Sequence, residues 1–196
     1  MGADSRMYSH PSYQQLQNVE FVNWPSYKNE QSITQLASRI IIEHNISKNQ
    51  NIGGSSLGGM VACEITKQII VNSLFLIGST QSPANINISL KKLSNFTKYA
   101  PIKLIQFLAG KTSVHTGNIV LEMFNESNHE FIKNMSKAIF EWSGNMQPNC
   151  KVYAIHGKHN AVIKPPKGDV TLINGGHLIA ITHANEVAKF IGRNTE

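Results

Sequence analysis

Hydrophobic and polar positions along the chain follow two periods, two residues and about 3.6, and the switch between them recurs from end to end. Val19–Trp24 (VEFVNW) alternates apolar with polar residues and stops at Pro25, the pattern of a strand. Ser32 stands just before Ile33, Leu36, Ile40 and Ile41, whose spacing predicts a helix with Ser32 as its N-cap. Gln50–Ser55 reads as a short strand. From Leu57 to about Ile70 the pattern is that of an amphipathic helix, with Met60, Ile65 and Ile69 or Ile70 inward. Ser73–Gly78 (SLFLIG) reads as a buried parallel strand. Lys151–Ile155 and Val170–Ile173 are two further strands, and Glu186–Ile191 lies in a closing helix. Between Thr80 and about Asn145 the pattern is helical without a clear strand, with segments at Ser89–Phe96, Ile102–Leu108, Ile119–Phe124 and His129–Trp142.

Strands that alternate with helices predict an α/β fold, a mostly parallel sheet with helices on both faces. Residues 1–196 read as one domain, with 80–145 as a helical lid insertion that packs over one end of the sheet. Within that insertion the stripe Met123, Phe124, Phe131, Met135, Ile139 and Trp142 reads as lid core, part of which would line an acyl pocket if the lid covers the site.

Composition narrows the class. The chain has 196 residues, 41% hydrophobic and 15% charged, with a mean hydropathy of −0.20. A chain of this length can bury roughly 70% of its unfolded surface around one core. No apolar run approaches the ~20 residues of a membrane span, and Met1–Gln14 has no apolar core of a secretory signal, so a cytoplasmic location is expected. The net charge of +6 is spread over scattered lysines, with no zinc-finger spacing, RNA-binding aromatic motif or arginine-rich tract, so nucleic acid is not an expected partner. Cys63 and Cys150 lie far apart and read as buried thiols rather than a disulfide or metal pair.

The chemistry is carried by Gly54-Ser55-Ser56-Leu57-Gly58, followed by Gly59, a G-x-S-x-G between a strand and a helix. A nucleophile on a sharp strand-to-helix turn needs small neighbours on both sides. That turn aims the Ser56 hydroxyl away from the sheet and presents the Leu57 N–H, at a helix N-terminus, to a developing oxyanion. A hydroxyl also needs a base. Asn174-Gly175-Gly176-His177 follows the last strand and puts an imidazole on a tight loop, in the Ser-first, His-last order of a known triad type. Between them, after the penultimate strand, runs His156-Gly157-Lys158-His159-Asn160-Ala161-Val162-Ile163. His156, His159 and His177 have no carboxylate or cysteine beside them to complete a metal set, so no metal is expected.

On these motifs the chain resembles the α/β-hydrolase superfamily, and more closely its small esterase- or lipase-like members, from Gly2 to about Ile191. Those members carry a GxSxGG elbow, an H-G-x-x-D-x-x-hydrophobic loop and a terminal G-G-H. The resemblance implies Ser56 as nucleophile, His177 as general base and then acid, and the loop's fifth position as the acid that orients the histidine. That position is Asn160 here. Its oxygen can accept the His177 Nδ1–H, or its NH₂ can face the ring and favour the wrong tautomer. Asp169 is a second candidate for the role, though it sits where an exposed turn residue is expected. The resemblance also implies an apolar strand and a glycine loop that supplies a second oxyanion N–H before Met1-Gly2-Ala3-Asp4-Ser5-Arg6-Met7-Tyr8. In their place Met1 would sit nearest the oxyanion. Without that strand Val19–Trp24 must pair directly with the elbow strand, or the sheet keeps a gap. The implied function is a serine hydrolase that cleaves a small-molecule ester through an acyl-enzyme, with no cofactor. The alternative is a catalytically impaired relative that binds a small ligand. Oligomeric state is not legible.

Overall fold

Ser73–Ile77 is buried at all five positions, and the rest of the molecule is layered around it. The structure, a computed structural model, describes residues 2–88 and 114–195. Four strands, β1 (Asn51–Ser55), β2 (Ser73–Ile77), β3 (Lys151–Gly157) and β4 (Val170–Ile173), form a parallel sheet in the order β1-β2-β3-β4. The helices are α1 (Pro11–Gln14), α2 (Ile33–Glu43), α3 (Leu57–Gln68), α4 (Val114–Glu126), α5 (His129–Glu141), α6 (Ile179–Thr182) and α7 (Ala184–Thr195). One face of the sheet packs on α2, α3 and α5 through Leu36, Met60, Leu74 and Met135. The other packs on α1, α6 and α7 through Tyr13, Ile155, Ile179 and Val187. Both faces are covered, as a parallel sheet requires.

Local chemistry sets the boundaries. Ser32 caps α2 by accepting the Gln35 N–H at 3.1 Å, and Asn128 caps α5 by accepting that of Phe131 at 3.0 Å. The helices expected at Ile119–Phe124 and His129–Trp142 correspond to α4 and α5. Those expected at Ser89–Phe96 and Ile102–Leu108 lie outside the described residues. Of the apolar stripe, Phe131, Met135, Ile139 and Trp142 join the main core, whereas Met123 packs with Val120 in a smaller cluster. Cys63 is buried and Cys150 half-buried, both as free thiols. Among the described residues no helix is long and apolar enough to cross a membrane.

The strand expected at Val19–Trp24 does not form. Its alternation is real, but a strand needs a partner edge, and β1 closes the sheet on that side without reaching it. Of the two outcomes that the sequence left open, direct pairing or a gap, the gap is the one observed. It is a cavity of about 930 Å³ lined both by residues 15–24 and by β1.

Glu64 joins three helices. It is 2% exposed, and its carboxylate accepts the Trp142 indole N–H at 2.7 Å, just beyond α5, and the Thr34 hydroxyl of α2 at 2.9 Å, with Lys67 as its ion-pair partner. Replacing Glu64 by Ala strands a buried indole N–H and removes the charge that Lys67 faces. The expected loss is about 2–4 kcal/mol. A melting temperature of Glu64→Ala within about 2 °C of the parent would contradict this.

Candidate active site

All four strands run the same way, so their C-terminal ends deliver Ser56, the Gly78–Thr80 turn, Asn160 and His177 to one edge. In open α/β sheets ligands bind outside that edge.

Ser56 occupies the turn between β1 and α3 with φ +50° and ψ −119°, a region that side-chain-bearing residues rarely adopt. The turn is held by close backbone packing. A Cβ on Gly59 would meet the Gly54 carbonyl oxygen at 2.8 Å and Ser79 Oγ at 2.4 Å, whereas one on Gly58 would meet nothing within 4 Å. Buried Ser79 donates to the Ser56 carbonyl at 2.6 Å. The Ser56 side chain makes no capping bond to α3, which leaves its Oγ for His177 Nε2 at 3.0 Å. Leu57 is the first residue of α3, so the helix holds no acceptor for its N–H. That N–H stands beside the nucleophile.

The other half of the site comes from two loops in backbone contact. Lys158 N–H donates to Ile173 O and His159 N–H to Gly175 O, each at 2.9 Å. A Cβ on Gly157 would lie 2.2 Å from the Gly176 carbonyl oxygen, so only glycine permits the approach. It brings Asn160 Oδ1 to 3.1 Å from His177 Nδ1. The same oxygen accepts the N–H groups of Val162 and Ile163, each at 3.0 Å. Two backbone donors therefore decide which end of the amide faces the imidazole, because an NH₂ turned the other way would oppose both of them. Of the two orientations that the sequence allowed, the acceptor is the one present. His177 then carries its proton on Nδ1 and presents a bare Nε2 to Ser56.

His177 is 9% exposed. Burial holds its pKa down to about 3, with His156 opposing the charge further. His156 is fully buried, and burial lowers its pKa as well. Its Nε2 faces the Ile163 carbonyl at 2.8 Å and Asn160 Nδ2 at 3.1 Å, and its Nδ1 has no partner among the described residues. His159 leaves the site and pairs with Asn174 Oδ1 at 2.9 Å. Asp169 is exposed ahead of β4, and the Nδ1 it was a candidate to orient is taken by Asn160. Met1, named for the oxyanion, lies outside the described residues.

No family model and no curated protein sequence matches the chain. Solved structures do. A hydrolase from Oleispira antarctica superposes with a TM-score of 0.81 at 15% identity, over 99% of this chain and 88% of its own. An esterase from Exiguobacterium antarcticum gives 0.80 at 15%, over 98% and 88%. An enol-lactonase from Burkholderia xenovorans gives 0.80 at 13%, over 97% and 86%. The chain has the α/β-hydrolase fold. On that fold the positions of Ser56, Asn160 and His177 follow from the parallel sheet. Two supports of the site went unread in the sequence. One is Ser79. The other is Tyr8, whose hydroxyl donates to Ser55 Oγ at 2.9 Å. A Ser-Thr pair directly after the apolar run SLFLIG was the available signal for the first. Nothing local marked Tyr8, forty-seven residues from its partner.

Two expectations follow. Gly59→Ala should unfold at lower temperature than the parent, while Gly58→Ala, in open space on a helix, should match it or gain roughly 0.5–1 kcal/mol; thermal melts of the pair give the comparison. The second concerns pH. The folded pKa of His177 lies below the ordinary 6.5, so from pH 6.5 downward the unfolded chain binds the extra proton and stability falls. Melting temperature should therefore decline between pH 6.5 and 4.5, and less steeply in His177→Gln. Parallel curves for the two proteins would refute the assignment.

Proposed function

We propose that the protein is a serine hydrolase of the carboxylesterase type that cleaves a small ester through an acyl-enzyme on Ser56. The observation that carries the reading is the relay Ser56 Oγ, His177 Nε2, His177 Nδ1, Asn160 Oδ1 at 3.0 and 3.1 Å. The named activities of the solved neighbours, an esterase and an enol-lactonase among them, agree with ester-bond chemistry. Ser56 Oγ attacks the ester carbonyl while its proton passes to His177 Nε2. The Leu57 N–H supports the oxyanion. His177 returns the proton to the departing alkoxide, and water, deprotonated by the same nitrogen, then releases the acid and restores Ser56. In this reading the helical insertion over 80–145 would serve as the lid over the acyl group.

Asparagine replaces the carboxylate of the usual triad, and the cost of that replacement depends on its orientation. In serine proteases with a Ser-His-Asp triad, Asp→Asn lowers kcat about 10⁴-fold because the amide selects the wrong tautomer. Here Val162 and Ile163 hold the oxygen toward the ring, which spares the tautomer. What is lost is the negative charge that would stabilise the imidazolium. With His177 desolvated and no carboxylate beside it among the described residues, its Nε2 is a weak base that stays unprotonated into mild acid. Asparagine in place of a carboxylate at 160 favours a second reading, a small-ligand binding protein with the pocket and without turnover.

Intact-mass labelling with a fluorophosphonate separates the two. The esterase reading expects one stoichiometric adduct, lost in Ser56→Ala. A folded parent that takes no label would leave the binding-protein reading. In Asn160→Asp the carboxylate meets the same three donors, and ester turnover should rise between about tenfold and a thousandfold, short of the 10⁴ of a tautomer switch. An unchanged rate in that variant would mean that the charge at 160 does not limit catalysis.

A further inference from the structure

Both main-chain groups of Ser56 are tied to the end of β2. Its N–H donates to Ile77 O at 3.2 Å, and its carbonyl accepts the Ser79 hydroxyl at 2.6 Å. A carbonyl only accepts, so the direction of the Ser79 proton is settled. Ser79 is itself fully buried. The residue before it is anchored as well, since Gly78 takes φ +55° and donates its N–H to Ile155 O at 2.8 Å. The α3 amides of Gly59 and Met60 reach the same Ser56 oxygen at 3.1 and 3.3 Å. Among these three bonds to that atom, the one from Ser79 is the shortest.

The carbonyl of Ser56 and the N–H of Leu57 are the two ends of one peptide unit. That unit is planar and trans, so its oxygen and hydrogen point in opposite directions, and whatever fixes the one aims the other. The Leu57 N–H stands beside the nucleophile, and no helix acceptor holds it. Its direction is thus set from the far end of the peptide. A bond accepted by the carbonyl also draws electrons toward oxygen, which strengthens the N–H at the other end by roughly 10–30%.

We propose that Ser79 is a positioning residue for the oxyanion, which aims and strengthens the Leu57 N–H through the Ser56–Leu57 peptide. This role rests on the acyl-enzyme reading and lies outside the relay of Ser56, His177 and Asn160. It belongs to the step at which negative charge appears on the substrate oxygen, because a ground-state carbonyl draws less on the same donor. Without Ser79 the Ser56 carbonyl keeps its two helix donors, and alanine fills nearly the same volume, so Ser79→Ala retains the fold.

The test compares the 196-residue protein with Ser79→Ala. On p-nitrophenyl acetate kcat should fall about threefold to thirtyfold, less than for loss of a whole oxyanion donor, with KM within about twofold. Trifluoroacetophenone gives a second reading. Ser56 Oγ adds to its carbonyl carbon, the π pair becomes the hemiketal oxyanion, and the Ser56 proton passes to His177 Nε2. Fluorine NMR should show this adduct weakened about as much as kcat. Amide shifts supply a third reading that needs no turnover. In Ser79→Ala the Leu57 amide proton should move upfield as its peptide loses polarisation, and those of Gly59 and Met60 downfield as they take over the oxygen. Ser79→Cys, with a poorer donor, should shift every reading the same way by less, and it carries the test where alanine is not tolerated. A kcat within about twofold of the parent in Ser79→Ala overturns the proposal. So does a rise in KM with kcat unchanged, or a Leu57 amide that does not move. A folded parent that takes no fluorophosphonate label removes the acyl-enzyme reading, whereas a parent that turns over without these effects removes the positioning role alone.

Discussion

The site depends on how closely α3 lies against the end of β1. The carbonyl of Gly54 and the Cα of Gly59 approach to a distance that no side chain could share, and that approach forces the intervening Ser56 into φ +50°. The strain is therefore supplied by packing. Ser79, fixed at the end of the fully buried β2, holds the Ser56 carbonyl from the other side. With both contacts in place the hydroxyl makes no capping bond to α3 and meets His177 instead. A serine in a relaxed turn would instead cap the helix.

The second half of the site shows how a neutral residue can keep a geometry that usually belongs to a charged one. Asn160 is held as a three-way acceptor by Val162, Ile163 and His177. Orientation and charge, which a carboxylate supplies together, are separated here. The backbone of the 160–163 turn provides the first, and no carboxylate among the described residues provides the second. Burial of His177 accentuates the difference, because a desolvated imidazole has the greatest need of a counter-charge when it takes up a proton.

Much of this was legible in the chain. The strand and helix periods of 50–77 and 151–191 gave the right elements to within a few residues, because buried strands and amphipathic helices write their packing directly into hydrophobic spacing. Ser56 and His177 were legible from their motifs after two of those strands, and Asn160 only through the resemblance, as the fifth position of the loop after a third. Val19–Trp24 misled for a physical reason: alternation records what a segment could bury, whereas a strand exists only beside a free edge. The direction of the Asn160 amide was illegible too, since it is set by backbone N–H groups that every sequence carries. Tyr8 reaches Ser55 through tertiary folding alone, and no spacing rule foretells it.

The β2–β3 pairing joins the elbow half of the site to the histidine half, and about four times as many residues separate those strands as separate β1 from β2. For a flexible connection, closure entropy grows only with the logarithm of length, so this fourfold difference amounts to about 1 kcal/mol. The register of the sheet is thus nearly indifferent to how much chain is inserted between its two middle strands. Length in that stretch is a variable on which evolution could act while the parallel core stays in place.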